Sequence, residues 1–285
     1  MSGIDGLLRR MVPALPTLSR RRWLMAPLDA VDWLARRPYR ELRGLPPNRF
    51  RIRVGVGNRV LFNAAHYRVF PVNFWLEALN AGVVRMDSNI LDFGCGCGRF
   101  AFVLREFHFH GREFVGRYTG VDVDHEMLDW CRGNFSADRF NWLGVDAKSA
   151  VYSPGAESGG GAQRLEVADA SQDFVLANSL FTHLLAEDLR DYIREAGRVL
   201  KPGGHFQFSV FLMDDVRADS AGSAKAHRWS FRHRVGDAWV ENERLPEAAV
   251  AYERAFVERA CRDAGMLETE TFRTHTHCMM RWRKG

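Results

Sequence analysis

The sequence predicts an α/β fold built on a doubly wound, mostly parallel sheet with helices on both faces. Three features predict it: short apolar runs typical of buried strands, helical apolar periodicity between them, and glycine or proline where the two alternate. The segment 89–99, N-I-L-D-F-G-C-G-C-G-R, is the clearest example, because an apolar strand leads directly into alternating glycines. Ligands of such folds bind beyond the carboxyl ends of the strands, so we expect the functional residues there.

The glycine turn follows the first predicted strand, which covers Ile90 to Phe93. Glycine allows the backbone to turn sharply and to approach a ligand without a side-chain clash. A predicted helix from Phe100 to about Phe107 points its N-terminal N–H groups at the same place, which favours a carboxylate or phosphate. The turn therefore predicts a site for a nucleotide-like cofactor. The glycines of this turn are Gly94, Gly96 and Gly98.

The glycine spacing alone fits two kinds of cofactor site. One pattern is G-x-G-x-G preceded by Asp92. The other is the G-x-G-x-x-A form of the dinucleotide fingerprint, which Gly96, Gly98 and Ala101 satisfy. The turn by itself therefore leaves both kinds of cofactor open.

Acidic residues follow the next two predicted strands. The strand Tyr118 to Val121 ends at Asp122, where a carboxylate can hold both hydroxyls of a ribose. Asp124 is better explained as the N-cap of the following helix, because aspartate strongly prefers that position. A third apolar strand, Phe140 to Val145, ends at Asp146.

Two further blocks complete the alternation of strands and helices. Residues 173–184 read D-F-V-L-A-N-S-L-F-T-H-L, and residues 198–204 read R-V-L-K-P-G-G before a strand from His205 to Phe211. The helix predicted between these blocks, Ala186 to Leu200, carries apolar residues three and four positions apart. A later stripe predicts a second helix that begins at Pro246 and ends near Gly265.

Taken in order, these motifs resemble the class I S-adenosylmethionine-dependent methyltransferases of the small-molecule type. The likeness covers about Pro46 to Met213 and continues weakly to the last strand. It implies a Rossmann-like sheet of seven strands with an antiparallel last strand at its edge, and an enzyme that binds S-adenosyl-L-methionine over the glycine turn. It also implies that Asp146 lies beside the adenine amino group. The cofactor-binding residues implied by the resemblance are Asp92, Gly94, Gly96, Gly98, Asp122, Asp146, Asn178 and Ser179.

His183 is the candidate catalytic residue, because it follows the fourth strand, where the donor methyl group is expected to emerge. A hydroxyl acceptor benefits from a base near neutrality, which histidine provides. The alternative is that His183 only packs at the start of the next helix. The turn 177–180 reads A-N-S-L and lacks the N-P-P-Y or D-P-P-Y of many methyltransferases that act on amino groups of nucleic acids and proteins. We therefore expect O-methylation of a small-molecule hydroxyl, such as a sugar or secondary metabolite, with no nucleic acid partner.

Two other classes of function remain open from the sequence. A nicotinamide-dependent oxidoreductase would account for the G-x-G-x-x-A spacing. A non-catalytic protein that binds S-adenosylmethionine or docks on a membrane would account for the basic N-terminal residues. We expect the residues 46–285 to form the methyltransferase domain, with the insertion 214–245 as a substrate lid. The segment 153–161 is predicted to be a surface loop without catalytic residues.

The N-terminal arm, residues 1–45, carries most of the charge asymmetry. Within residues 1–44, nine arginines against four acids give a net charge of +5, equal to that of the whole chain. Aromatic and aliphatic residues are interleaved with these arginines, so a helical arm is amphipathic. Such an arm could touch an anionic membrane surface or an acidic partner. The interpretation that we favour is the solvated face of a helix packed on the domain.

Composition predicts a reduced, cytoplasmic protein. The five cysteines are an odd number, and no apolar run is long enough to span a bilayer or ordered like a signal peptide. Cys95-x-Cys97 and His275-x-His277 are both compatible with metal ligation. The first pair lies in the glycine turn, where small side chains are needed, and the second lies in an ordinary final strand, so we expect no metal.

Overall fold

The computed structural model describes residues 19–54, 64–146, 164–222, 229–274 and 277–285. The predicted surface loop at 153–161, His275, and the first 18 residues of the N-terminal arm lie outside the described residues. Among the helices of the described segments, none combines the length and the apolar character needed to cross a bilayer.

The strands that form the centre and one edge of the sheet are β1 (Ile90–Phe93), β4 (Tyr118–Asp122), β5 (Phe140–Gly144), β6 (Gln172–Ala177), β7 (Leu200–Leu212), β11 (Met266–Arg273) and β12 (Cys278–Lys284). Five of them are parallel and form the centre of the sheet, in the order β5-β4-β1-β6-β7. β12 then pairs antiparallel with β7, and β11 pairs antiparallel with β12 at the edge. The mostly parallel sheet is therefore confirmed, but it has ten strands and not the expected seven. The last strand is antiparallel as expected, and it lies one position inside the edge.

Helices cover both faces of this sheet, because side chains alternate along the buried strands. The helices concerned are α3 (Ala64–Asn80), α4 (Arg99–Glu106), α5 (His125–Asn134), α6 (Ala186–Val199) and α8 (Arg254–Asp263). Ile90 belongs to the core cluster on the side of α3, α4 and α5, whereas Leu91 belongs to the cluster on the side of α6 and α8. The doubly wound architecture is confirmed.

The predicted helix from Pro246 to Gly265 is only partly correct. Residues Pro246–Ala248 form a 3-10 turn, Val250–Tyr252 form strand β10, and the helix covers Arg254–Asp263 alone. β10 pairs in parallel with the end of β7, so a backbone partner and buried strand positions outweigh the helical spacing. Gly265 ends the helix as predicted, with a φ of +75°.

The predicted boundary after α6 also differs. β7 begins at Leu200, directly after the helix, and not at His205 as expected. Residues Gln172 and Phe174 of β6 pair with Leu200 and His205, so the Lys-Pro-Gly-Gly segment forms a bulge in the ladder.

The insertion 214–245 contains regular structure. It includes most of α7 (Met213–Gly222) and a hairpin of β8 (His233–Val235) and β9 (Ala238–Val240), and β9 pairs with β10. These strands extend the sheet to ten strands. A separate small hairpin joins β2 (His108–Phe109) and β3 (Arg112–Glu113).

The described part of the N-terminal arm is helical. It consists of α1 (Arg22–Arg36) and a 3-10 turn (Arg40–Leu42), and the next helix is α2 (Asn48–Arg53). Two acids of α1 pair with arginines of α2: Asp29 with Arg49 at 2.6 Å, and Asp32 with Arg51. The arm therefore packs on the domain through its charged side chains.

Candidate active site

The glycine turn lies at the carboxyl end of β1, and its three glycines adopt positive φ. The angles are +73° at Gly94, +54° at Gly96 and +70° at Gly98. A Cβ at Gly96 would lie 2.4 Å from Cγ1 of Val54, and one at Gly98 would lie 2.9 Å from the ring of Trp142. Both positions therefore require glycine for conformation and for packing within the chain. Gly94 is exposed, so it leaves its backbone open at the sheet edge.

Asp122 ends the adjacent strand β4 and is bonded to the glycine turn. One carboxylate oxygen accepts a hydrogen bond from the backbone N–H of Gly96 at 2.7 Å, and the other accepts from the N–H of Asp124 at 2.9 Å. A carboxylate has about four acceptor positions, so these two bonds leave capacity for hydroxyl donors of a ligand. Burial raises the pKa of Asp122, and the two backbone hydrogen bonds oppose that shift.

Asp146 follows the next strand, β5, at the same edge of the sheet. Gly144 of β5 is the register partner of Asp122, so the end of β5 lies beside it. The Asp146 side chain is 79% exposed and lies 3.2 Å from Nε2 of His125. The structure thus brings the turn, Asp122 and the end of β5 to one edge, as the order of parallel strands requires.

Asp92 occupies a different environment from the other acids. Its side chain is 1% exposed, and the hydroxyl of Tyr118 donates a hydrogen bond to it. Burial raises the pKa of Asp92 to about 8, and the hydrogen bond from Tyr118 opposes the shift. This carboxyl group contacts the neighbouring strand inside the sheet, and its direct contact with a cofactor stays a prediction.

The turn after β6 brings Asn178 and Ser179 next to the glycine turn. Ser179 has a φ of +58°, an uncommon conformation for a residue with a side chain, and its N–H donates to Oγ of Ser209 at 2.6 Å. Leu180 lies beside the exposed glycine, since a Cβ at Gly94 would be 3.4 Å from Cδ1 of Leu180. The strained turn is therefore held against β7 on one side and against the glycine turn on the other.

Comparison with known proteins identifies this arrangement. Residues 91–208, which include the glycine turn, Asp122, Asp146 and the turn after β6, match the family described as "Methyltransferase domain". Residues 91–208 are therefore similar to a methyltransferase domain, in agreement with the resemblance that the sequence motifs show. The match favours S-adenosylmethionine over a dinucleotide as the ligand of the glycine turn.

The relatives are similar over part of their length. The chain is 32% identical to the arsenite methyltransferase of Aquipseudomonas alcaligenes over 132 residues, which are 46% of this chain and 34% of that protein. It is 28% identical to the ribosomal protein L11 methyltransferase of Shewanella pealeana over 147 residues, which are 52% of this chain and 40% of that protein. The chain thus spans well under half the length of these curated relatives.

A solved structure of an S-adenosylmethionine-dependent methyltransferase from Clostridium acetobutylicum is also similar to this chain. It is 14% identical, with a TM-score of 0.49, and the match covers 77% of this chain and 92% of that one.

The groups at the sheet edge fit S-adenosylmethionine chemically. The cofactor carries two ribose hydroxyl donors, an adenine amino group and an amino acid portion. The methyltransferase domain offers the half-buried acceptor Asp122, the exposed carboxylate of Asp146, and the polar turn residues Asn178 and Ser179. The open backbone of Gly94 lies between them at the end of β1.

His183 lies just beyond this turn, in the 3-10 turn Phe181–His183. Its Nδ1 is 2.9 Å from the carbonyl oxygen of Glu247. Because a carbonyl only accepts, this contact is a hydrogen bond when Nδ1 carries the proton. Burial lowers the pKa of His183, and the contacts with Glu247 and with the backbone of Ala248 oppose the shift. The neutral ring therefore dominates at pH 7.

The sequence did not indicate the contacts that join α2 to the methyltransferase domain. Arg53 Nη1 lies 3.0 Å from Asp124, and its Nη2 lies 2.9 Å from Glu126. Arg20 also pairs with Asp124, at 3.2 Å. Asp124 caps α5 as predicted, since its carboxylate accepts from the N–H of Met127. Arginine pairing thus fixes the arm two residues away from Asp122.

Ser209 is another residue that sequence reasoning missed. It is 1% exposed and lies among apolar residues of β7, where its hydroxyl accepts from the N–H of Ser179. A hydroxyl between the apolar residues Phe208 and Val210 was the available signal, because buried polar groups need a partner.

Burial and ring packing account for Cys95, Cys97 and His277, the described residues of the two candidate metal motifs. Cys95 and Cys97 are buried thiols, and burial raises the pKa of Cys97 to about 12. The prediction of a strand through His277 is wrong: His277 lies in the turn between β11 and β12, and its ring centre is 4.7 Å from that of Phe211. Across the described residues, His, Cys, Asp and Glu form no group of three placed to hold a metal ion.

Proposed function

We propose that this chain is an S-adenosylmethionine-dependent methyltransferase that methylates a hydroxyl oxygen of a small molecule, such as a sugar or secondary metabolite. The observation that carries the hydroxyl assignment is the neutral imidazole of His183, held by Glu247 just beyond the carboxyl end of β6. The names of the relatives refer to arsenite and to a ribosomal protein, and each is matched over less than half its length. The acceptor is therefore proposed from this chain's own residues.

The cofactor roles follow from position at the sheet edge. Asp122 accepts hydrogen bonds from the ribose hydroxyls, and Asp146 accepts from the adenine amino group. Asn178 and Ser179 contact the methionine portion, and Gly94 gives the cofactor access to the backbone. Three further residues act by position: Gly96 and Gly98 shape the turn, and Asp92 supports it from inside the sheet through Tyr118.

When bound, the cofactor would supply a methyl group activated by a sulfonium. The acceptor oxygen attacks the methyl carbon in line with the C–S bond, and S-adenosylhomocysteine leaves as that bond breaks. His183 accepts the hydroxyl proton at Nε2 as the oxygen attacks. The carbonyl of Glu247 then stabilises the resulting imidazolium, because it already accepts a hydrogen bond from Nδ1. The remaining requirement is to hold donor and acceptor in contact within a site that excludes water.

The insertion 214–245 is suited to cover the acceptor. Its hairpin pairs with β10, and the residues that connect them include Glu247, which contacts His183. The insertion therefore continues directly into the residue that orients the proposed base. A lid at this place would bring acceptor recognition and the base together.

Two assays test the proposal in sequence. Calorimetric titration with S-adenosylmethionine and S-adenosylhomocysteine, with reduced nicotinamide cofactors in parallel, is expected to show binding of the adenosyl ligands alone. Transfer of labelled methyl groups is then measured on pairs of small molecules that differ only in a hydroxyl or an amino group. Transfer to the hydroxyl members supports the proposal. Transfer to the amino members alone would overturn the hydroxyl assignment, and absence of adenosyl binding would overturn the activity itself.

A further inference from the structure

Helix α1 packs on the domain with its charged face. Met25, Asp32 and Arg36 are its buried residues. Asp32 is 1% exposed and pairs with Arg36 at 2.8 Å and with Arg51 of α2. Asp29 lies on the same side and pairs with Arg49. Both acids of α1 are therefore neutralised against the domain.

The opposite face of α1 is apolar and exposed. Trp23 is 74% exposed, Val31 49% and Leu34 58%, and Leu24 and Leu28 are exposed as well. At 100° per residue these five positions fall within an arc of about 140° on one side of the helix. Helices of soluble domains bury their apolar stripe, so α1 has the reverse orientation. Such a face indicates a surface that a partner covers.

Basic residues flank this face at both ends. Arg21 and Arg22 precede or begin the helix, and Arg37, Arg40 and Arg43 follow it. Among the described residues, no carboxylate lies within 4.0 Å of the guanidinium groups of these five arginines. Glu41 is the only acid between residues 33 and 43. The exposed apolar stripe is thus bounded by positive charge.

We propose that the outward face of α1 binds the surface of an anionic lipid bilayer. The helix lies in the plane of the interface, where Trp23, Val31 and Leu34 enter the boundary of the acyl chains. The flanking arginines contact lipid phosphates, each contributing about fivefold to the affinity. With 15 residues the helix is roughly 22 Å long, which is shorter than the hydrocarbon core and suits a helix that lies on the membrane.

Charge favours a bilayer over a second copy of the chain. Two copies that paired through α1 would bring arginine groups together in either orientation: Arg22 against Arg22 when parallel, and Arg22 against Arg37 when antiparallel. Like charges brought together in this way oppose association. An anionic surface has the complementary charge at both ends of the helix.

Vesicle binding by the full-length protein tests the proposal. Flotation is compared between vesicles of phosphatidylcholine alone and vesicles that also contain phosphatidylglycerol. The wild-type protein is expected to bind the anionic vesicles and to lose affinity as salt is raised. Replacing Trp23 and Leu34 by serine is expected to weaken binding by about tenfold or more, because both apolar side chains leave the interface. Replacing Arg37 and Arg40 by glutamine is expected to weaken it by about 25-fold.

A matched control uses apolar residues of similar exposure elsewhere. Val115 and Leu267 are 65% and 59% exposed, and their replacement by serine is expected to leave vesicle binding unchanged. Cofactor affinity is measured on every variant, and an unchanged affinity shows that the domain is folded. This measurement also distinguishes a failure of the membrane-binding proposal from a failure of the proposed activity. Three outcomes would overturn the proposal: no binding to anionic vesicles, equal loss in the control variant, or an oligomer without vesicles that the Trp23 and Leu34 replacement dissociates.

Discussion

Asp122 accepts a hydrogen bond from the backbone N–H of Gly96 at 2.7 Å, so the acid that follows β4 also holds the turn that follows β1. The two residues are 26 positions apart and are brought together by the parallel pairing of β1 with β4. The residue that we propose to bind the ribose therefore also fixes the backbone of the glycine turn. Ligand affinity and the shape of the turn should change together when this acid is altered.

Replacement of Asp122 by asparagine tests that relationship. The amide removes the charge that holds the Gly96 N–H, and hydrogen bonds to a charged acceptor contribute about 1.5–3 kcal/mol. We expect S-adenosylmethionine to bind at least about tenfold more weakly in calorimetric titration. Asp129→Asn is the matched control, because Asp129 is an exposed acid on α5 paired with Arg132. Equal affinities of Asp122→Asn and the wild-type protein would contradict the role given to this residue.

Gly96→Ala is expected to destabilise the domain through two separable effects. The positive φ costs about 1–2 kcal/mol for a residue with a Cβ, and the close approach of Val54 adds about 1–3 kcal/mol of overpacking. Val54→Ala should relieve only the second effect. In urea unfolding, the double variant is therefore expected to be more stable than the sum of the single changes by about 1 kcal/mol.

Gly94→Ala provides the comparison for this cycle. Its φ is similar, but the nearest atom to its Cβ would be Leu180 at an ordinary contact distance of 3.4 Å. We expect Gly94→Ala to lower the free energy of unfolding through backbone strain alone. Val54→Ala is therefore not expected to restore the stability of this variant. Rescue of both glycine variants to the same extent would mean that Val54 is not the source of the second effect.

The parts of the fold that could be predicted are those with a local signal. β1, β4 and β5 are short apolar runs with glycine or acid at their ends, so their bounds and the positions of Asp122 and Asp146 were readable along the chain. Residues Val250–Tyr252 were misread as helix because their spacing fits both periods, and only pairing with β7 decides between them. The contacts of Asp122 with Gly96 and of His183 with Glu247 depend on register between distant segments, which periodicity does not contain.

The orientation of α1 illustrates the same limit. The sequence shows an amphipathic helix, and the interpretation that we favour from it is the solvated face of a helix packed on the domain. The structure packs α1 through Asp29 and Asp32, because α2 offers Arg49 and Arg51 as partners. An amphipathic pattern in the sequence shows that the two faces of a helix differ in polarity. Which face is buried depends on the surface it packs against, here the arginines of α2.

Asp92→Asn is expected to reduce the pH dependence of stability. The pKa of Asp92 is about 8 in the folded protein and near 3.8 when unfolded, so the unfolded chain releases its proton first. The favourable contribution is complete below about pH 3.8 and is lost as pH rises through about 8. Asparagine still accepts from Tyr118 and never ionises. The variant should therefore gain on the order of 4 kcal/mol relative to wild type between pH 5 and pH 8, since the wild-type penalty grows by about 1.4 kcal/mol per pH unit in this range.

Urea unfolding at several pH values measures this change. Asp173→Asn serves as a control for loss of an acid at the sheet, because Asp173 is partly exposed and paired with Lys201 at 2.8 Å. A parallel fall in stability with rising pH for wild type and Asp92→Asn would show that this carboxyl group is not the one that titrates.

His183→Ala tests the proposed base. Removal of a general base typically lowers kcat by about 10²–10⁴-fold, whereas cofactor affinity should change little because His183 is proposed to contact the acceptor proton. His205→Ala is the matched control: burial also lowers the pKa of His205, but this residue pairs near the start of the parallel ladder of β6 and β7, away from the carboxyl ends. The control is expected to retain kcat.

The pH profile separates a base from a packing residue. Burial places the pKa of His183 below its usual 6.5, so the ring is neutral at pH 7 and becomes protonated only as the pH falls below that value. Protonated His183 has no lone pair to accept the hydroxyl proton, so kcat should fall on an acidic limb whose midpoint lies below 6.5. The lowered pKa of His183 also makes the folding stability depend on pH. Its contribution to the free energy of unfolding is complete above pH 6.5 and is lost as the pH falls through the pKa of the folded state. A packing histidine would change stability in this window without an acidic limb in kcat at pH values where the protein is fully folded.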